Sequence, residues 1–446
     1  MSPLQLFRNF YLSPRFYAVL GGLVLLQILS YFFATFGLAA QLALLALLLA
    51  LLSDILILFR SPAGLLARRE APARLSNGDD NHIRLYLDNR YPFTVQVLAI
   101  DELPVQLQIR DFGYHLALSP GQERALDYTV RPLRRGEYHF GSLNLFAASP
   151  VGLVRRRYRF ELAQMLPVYP SFVQMRKYEL LAISNRLSEA GVKKIRRVGH
   201  TMEFEQIREY VSGDDYRTIN WKATARRHNF MVNHYQDERS QQVYSVIDMG
   251  RVMKMPFQGM SLLDYAINAS LVISNIAIRK QDKAGLITFS HKIGSILPAD
   301  RKPLQMNKII EVLYRQETDF LESNYELLFS TLLQKLKQRS LVLLFSNFET
   351  LGALKRQLPS LRRIAGRHVL VVIFFENTEL HALLEAPAAR TEAIYHQTIA
   401  AHFAYEKKQI VKELQRFGIY SILSPPEQLS VNTINKYLYL KARGFI

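Results

Sequence analysis

The C-terminal half of this chain is predicted to be an α/β unit, preceded by a small antiparallel β-sandwich and a pair of apolar helices. Three observations carry that prediction. No charged residue occurs between Phe16 and Ser53. From residue 74 to 170, short stretches alternate apolar and polar side chains and are broken by Pro, Gly, Asn and Asp, the pattern of half-buried strands. From residue 241 onward, near-continuous apolar runs alternate with helical stretches, as in a parallel sheet covered on both faces.

A continuous helix across the uncharged run would rise about 57 Å, nearly twice a hydrocarbon core of about 30 Å. Two spans within residues 1–60 fit that thickness: Phe16–Phe36 and Leu38–Phe59, with a turn near Phe36 and Gly37. Arg8 and Arg15 precede the pair, and Arg60, Arg68 and Arg69 follow it. That excess of positive charge places both ends, and the rest of the chain, in the cytoplasm. The first apolar run exceeds the hydrophobic region of a secretory signal, and no small-x-small cleavage site is followed by a polar start. Asp54, near the end of the second span, is expected at the membrane-interface level, with a buried functional carboxylate as the alternative.

In the sandwich region the strands are read as Ile83–Asn89, Thr94–Ile100, Pro104–Arg110, Arg124–Val130 and Gly136–Phe146. No cluster of His, Asp and Glu there has catalytic or metal-ligand spacing, so the unit reads as a spacer or interaction module. Arg131, Arg134, Arg135, Arg155, Arg156, Arg157 and Arg159 face a single acid, Glu137. They form either a solvated rim or an anionic-lipid contact.

The α/β strands are read as Gln242–Asp248, Ala284–Ser290, Ser340–Asn347, His368–Phe375 and Gly418–Ser424. Helices are expected at Ser261–Lys280, Pro303–Gln316, Tyr325–Lys337, Leu351–Ala365 and Thr391–Phe417. In open sheets of this kind ligands bind beyond the carboxyl ends of the strands, where Asp248, Ser290 and Asn347 should emerge.

Composition narrows the chemistry. The 446 residues include no cysteine, which excludes disulfides, thiolate zinc sites and cysteine nucleophiles. Lys and Arg number 56 against 38 Asp and Glu, a net charge of +18, which favours anionic partners or a membrane protein with positive cytoplasmic flanks. No phosphate-binding Gly-rich loop, nucleophile elbow, His-Glu-x-x-His helix or dinucleotide fingerprint is present, and His200, His228, His234 and His291 are scattered. No enzymatic activity is expected.

The segment from Glu203 to Ile247 is the most distinctive. It carries Glu203 and Phe204, then Arg208, Glu209 and Tyr210, then Gly213, Asp214, Asp215 and Arg217, then Asn220, Trp221, Lys222, Ala225 and Arg226. In order and spacing this resembles the signature of the domain of unknown function 58 family, bacterial membrane proteins that are von Willebrand factor A-like and associated with MoxR-type ATPases. The resemblance implies a doubly wound, Rossmann-like von Willebrand A domain over residues 241–446, with 171–240 as the signature segment joining it to the sandwich. It also implies a bacterial inner-membrane location and a MoxR-type AAA+ ATPase as partner. The lipid bilayer and other von Willebrand A-domain membrane proteins complete the expected partners; nucleic acid is not expected.

That fold often holds a divalent cation on an Asp-x-Ser-x-Ser turn, with a Thr and an Asp from later loops. Here the turn reads Asp248, Met249, Gly250, Arg251, Val252; Ser323 or Thr318 would stand for the threonine, and Asn347 falls at the later aspartate. A site of Asp248, Ser323 and Asn347 is therefore expected to be degenerate, binding Mg²⁺ weakly if at all, with no other cofactor. In the signature segment, Arg208, Asp214, Asp215, Arg217, Trp221, Lys222 and Arg226 form either a partner-binding surface or an internal ion-pair clasp with Trp221 as its core plug. The expected function is a membrane-anchored scaffold or adaptor. The alternatives are a metal-dependent sensor or enzyme using Asp248, and an anionic-lipid or nucleic-acid binder.

Overall fold

The computed structural model describes residues 8–33, 36–61, 63–110, 112–183, 202–212, 214–227, 229–237, 240–385 and 391–445. The chain divides into two compact units, Met1–Tyr169 and Pro170–Ile446.

In the first unit, strand β1 (Phe10–Leu12) leads into helix α1 (Pro14–Phe32), followed by helix α2 (Gly37–Arg60). Ser13 caps α1 by accepting from the Phe16 amide, with Pro14 in the first turn, where its missing N–H costs nothing. Both helices are long and apolar enough to cross a membrane, and little of either is buried within the protein. Exposed apolar surface of this extent marks a membrane or protein interaction surface.

Ten further strands build the sandwich: β2 (Leu65–Glu70), β3 (Leu75–Ser76), β4 (Asn81–Asn89), β5 (Val95–Asp101), β6 (Tyr114–Leu118), β7 (Glu123–Val130), β8 (Gly136–Phe140), β9 (Leu143–Ala148), β10 (Val154–Phe160) and β11 (Gln164–Tyr169). They form sheets in the orders β1-β10-β9-β5-β6, β2-β4-β7 and β3-β11-β8. All pairings are antiparallel except β3 with β11. Alternating positions such as Ile83, Leu85 and Leu87, Val95 and Val97, and Leu143 and Leu145 point into one core.

The ends of the helical pair are built into this sandwich. β1 pairs with β10 in the register Phe10↔Arg156 and Leu12↔Val154, so the start of α1 and the end of α2 emerge beside the same sheet. Asp54 is fully buried. Its Oδ2 accepts from the Leu153 and Val154 amides, each at 2.8 Å, and its Oδ1 accepts from the Ser149 hydroxyl. Arg156, 2% exposed, donates to the Leu58 and Ser61 carbonyls at 2.6 Å and lies over the rings of Phe59 and Tyr158. The Tyr91 hydroxyl also donates to Leu58 O, at 2.7 Å.

Several expectations are corrected here. Asp54 is buried within the protein and tethers α2 to the sandwich. Arg69, counted as a flanking charge, is a core residue: it pairs with buried Asp101 and donates to the Leu162 and Gly141 carbonyls at 2.9 Å, while Tyr128 donates to the same aspartate at 2.6 Å. Within the arginine run, Arg156 is internal, and Arg157 and Arg159 are bonded to Asn144 and Ser142. The stretch Pro104–Arg110 holds a 3-10 turn at Val105–Leu107 instead of a strand; only Pro104 is buried and Leu107 partly so, while Val105 is 89% exposed. Gly136–Phe146 is two strands, broken where Gly141 and Ser142 bond Glu102.

In the second unit, helix α3 (Phe172–Ile183) is followed by the hairpin β12 (Met202–Glu209) and β13 (Met231–Asp237), which encloses a 3-10 turn and the short helix α4 (Trp221–Arg227). The main sheet comprises β14 (Gln242–Asp248), β17 (Lys283–Phe289), β18 (Ile293–Asp300), β19 (Leu341–Phe345), β20 (Val369–Phe375) and β21 (Tyr420–Ser424), in the order β18-β17-β14-β19-β20-β21. Every pairing is parallel except that of the edge strand β18. A minor hairpin, β15 (Pro256–Phe257) with β16 (Met260–Ser261), follows β14.

Helices α5 (Leu262–Arg279) and α11 (Leu429–Ala442) pack on one face. On the other, helices α7 (Tyr325–Lys335), α8 (Leu351–Ala365) and α10 (Thr391–Arg416) seat Leu328, Leu361, Ile410 and Leu414 on Val246, Leu344 and Val372. Helices α6 (Leu304–Tyr314) and α9 (Thr378–Glu385) complete the unit. The hairpin β12–β13, the edge strand β18 and the helix α11 were not read from the sequence. α11 is held by buried Asp282, which accepts from Tyr437 and Lys441.

Replacing Asp54 by Ala strands the Leu153 and Val154 amides in the interior. The detergent-solubilised chain should lose about 3 kcal/mol, the scale of an unmet buried group bonded to a charge, and Asp54→Asn, which keeps one acceptor, clearly less. Equal denaturation midpoints for Asp54→Ala and the parent would remove this tether.

Candidate functional site: the strand crest and the signature hairpin

Chain order reverses in the sheet on either side of β14: β17 lies to one side and β19 to the other. Such a reversal opens a crevice beyond the carboxyl ends of the strands. Asp248 ends β14 at this point and is completely buried. Its Oδ1 accepts from the Gly250 amide at 2.8 Å and from the Ser323 hydroxyl. Its Oδ2 accepts from Ser346 at 2.7 Å and Tyr325 at 3.0 Å. Burial pushes the carboxyl above its ordinary value, opposed by these four donors. The same burial, with the adjacent carboxylate, raises the Tyr325 hydroxyl well above its usual range.

Of the three residues anticipated around a cation, the structure joins Asp248 and Ser323 only. Asn347 points elsewhere, accepting from the Lys407 amine at 2.7 Å, and Thr318 donates to the Met249 carbonyl at 2.6 Å. Ser346, one residue before the anticipated position, and Tyr325 are the groups that meet the aspartate. A side chain at Gly250, where the metal-binding turn has its first serine, would collide with the Ser323 hydroxyl and approach Leu321 O within 2.9 Å. The residues therefore do not fit a divalent cation: four donors occupy the carboxylate, and no second acid faces it among its bonded neighbours. Asp248 acts as a pin that ties β14 to the loop after β19 and to the start of α7.

The signature residues divide into two sets. Asp214 accepts from Arg208 at 2.7 Å and from the Val211 amide at 3.0 Å; Asp215 caps the 3-10 turn through the Arg217 amide at 3.0 Å. Asn220 caps α4 through the Ala223 amide at 3.0 Å and donates to Asn233 at 2.8 Å. These groups shape the hairpin. The other set faces outward. Trp221 is 68% exposed, with Tyr216 at 68% and Phe230 at 58%, so the tryptophan is not a core plug. Lys222 and Arg226 are exposed and make no hydrogen bond or ion pair among the described residues, and Arg217 lies over the Tyr216 ring. Gly213, His200 and His228 lie outside the described residues, as do the side chains of Glu203, Phe204 and His234.

Residues 206–384 match the family described as protein of unknown function DUF58. The match covers the signature hairpin from Gln206 onward and the sheet from β14 through β20. The uncharacterized protein YeaD of Bacillus subtilis (strain 168) is 27% identical over 190 residues, 41% of this chain and 47% of its own length, so the chain spans about half of that relative. Among solved structures, the conserved hypothetical protein BatB from Bacteroides thetaiotaomicron is 12% identical; the match covers 46% of this chain and 100% of that one at a TM-score of 0.30. The CARDB domain of the PF1109 protein from Pyrococcus furiosus is 14% identical over 23% of this chain and 86% of that one, at a TM-score of 0.18.

Two outcomes test the pin. Calorimetry should detect no Mg²⁺ or Mn²⁺ binding tighter than about millimolar; stoichiometric micromolar binding abolished by Asp248→Ala would make the crest a metal centre. Gly250→Ser should lower stability by about 2 kcal/mol through overpacking, without creating a metal site.

Proposed function

We propose that this chain is a membrane-anchored, cytoplasm-facing adaptor that works with a MoxR-type AAA+ ATPase in protein maturation or complex assembly. The observation that carries this reading is the outward face of the signature hairpin. Trp221, Tyr216 and Phe230 are exposed together, and Arg217, Lys222 and Arg226 stand on the same short segment. Exposed tryptophan, tyrosine and arginine are the residue types that dominate binding hot spots, and a hairpin held by Asp214, Asp215 and Asn220 offers them pre-organised. The pinned Asp248 favours a binding role over a metal-dependent one, and ATP hydrolysis is assigned to the partner.

The sheet order, with a central first strand and one antiparallel edge strand, supports a doubly wound von Willebrand A-like unit. Helices α1 and α2 would form a two-span anchor in a bacterial inner membrane. The flanking Arg8, Arg15, Arg60 and Arg68 support an orientation with the sandwich in the cytoplasm.

Docking is tested with a purified MoxR-type ATPase from the same organism. Trp221→Ala, and Arg217→Glu combined with Arg226→Glu, should each weaken capture by about tenfold or more while shifting stability by less than about 1 kcal/mol, as exposed positions do. Unchanged capture by correctly folded variants sinks the docking face.

Orientation can be read directly, because the chain has no cysteine of its own. In intact cells an impermeant maleimide should label Phe36→Cys, in the turn between the two helices, but not Gln96→Cys, both exposed positions. Labelling of Gln96→Cys from outside reverses the orientation and removes the cytoplasmic ATPase as partner.

A further inference from the structure

The second unit has a cavity of about 260 Å³ beyond the carboxyl ends of β19, β20 and β21. Phe257, Phe375, Leu380, Phe403 and Leu423 give it an apolar wall, and Lys407, at mid-length in α10, lines it beside Asn347. The Lys407 amine donates to Asn347 Oδ1 at 2.7 Å and lies 5.7 Å from the Phe374 ring centroid. Among the described residues no carboxylate is within ion-pairing distance of it. Burial pulls this amine down to about 8, and the nearby Glu349 acts in the opposite direction. A cation is thus taken out of water against a neutral amide and a ring, an arrangement that leaves much of its desolvation uncompensated.

We infer that this cavity binds a small organic monocarboxylate, with the carboxylate on Lys407 and an apolar body against the Phe257, Phe375 and Phe403 wall. Charge complementarity selects the head group, since one anionic oxygen pair supplies the direct ion-pair partner that Glu349, acting from a distance, does not give this largely desolvated amine. Apolar lining with few polar groups is what orients a ligand of mixed character. Glu349, Glu376 and Glu379 also line the cavity, and Glu349 and Glu379 are exposed. These acids outnumber the two lining cations, Lys407 and Lys408, which disfavours phosphates and other multiply charged anions. A free aryl or alkyl carboxylic acid and the apolar C-terminus of a peptide share this chemistry.

The test uses the full chain in detergent and 3-phenylpropanoate as probe. Calorimetry should show saturable binding that weakens about tenfold or more for the neutral 3-phenylpropanamide, for phenylphosphonate and in Lys407→Met. The variant swaps a buried cation for an apolar side chain of similar length, which proteins tolerate. A second readout needs no variant: the probe should protect Lys407 from acetylation at pH 8, read by peptide mass spectrometry, while Lys412, exposed on the same helix and outside the cavity lining, reacts as before. N-acetyl-Leu-Phe as its free acid, compared with its amide, separates the sources. Binding of the peptide acid more tightly than the probe assigns a polypeptide C-terminus; the reverse order assigns a free acid. Equal affinity for acid and amide, unchanged binding in Lys407→Met, unprotected Lys407, or no binding of either acid overturns the inference.

Discussion

A charged group removed from water must be met by oriented partners, and the way this chain satisfies that constraint organises both units. Asp54 is answered by two backbone amides and a serine, Arg156 by two carbonyls and two aromatic faces, and Arg69 and Asp101 by one another with Tyr128. Each set joins segments far apart in the chain. Asp54 and Arg156 together fix the end of α2 to the β9–β10 region, so the apolar helices continue into the sandwich instead of dangling from it. A buried charge stabilises little by itself, but it is intolerant of any geometry other than the one that satisfies it.

The same constraint decides the chemistry of the crest. An aspartate at the end of a central strand invites a metal or catalytic reading. Four donors already converge on Asp248, and Gly250 is small because Ser323 occupies the space beside it. The carboxylate therefore spends its hydrogen-bonding capacity on holding loops together. What the rigid frame offers to other molecules lies elsewhere: an exposed aromatic and cationic hairpin, and a cavity with a desolvated amine.

Lys407 is the exception among these charges, because among the described residues its amine has a single hydrogen bond, to the Asn347 amide oxygen. Asp248 and Lys407 are linked through consecutive residues, Ser346 facing one and Asn347 the other. The loop after β19 thus divides the crest into a satisfied side and an unsatisfied one, and strand geometry explains the division, since adjacent side chains point in opposite directions.

The sequence by itself determined the elements whose cause is local or periodic. The uncharged run from Phe16 to Ser53 gave two helices with a break next to Gly37, and the apolar runs of β14, β17, β19, β20 and β21 gave the sheet, because burial on both faces demands continuous hydrophobicity. Period two succeeded for β4, β5 and β7. It failed for Pro104–Arg110, where alternation without a burying partner leaves Val105 in solvent. The tertiary structure alone decided which polar residues are internal. Asp54 and the loop at Ser149 lie about a hundred positions apart, Asp248 meets Ser323 from the loop between α6 and α7 and Ser346 from the loop after β19, and Lys407 is one lysine among many until α10 sets it beside Asn347. Such contacts have no period and no fixed spacing. They depend on chain segments meeting in space, and only the packing of the folded sheets and helices specifies those meetings.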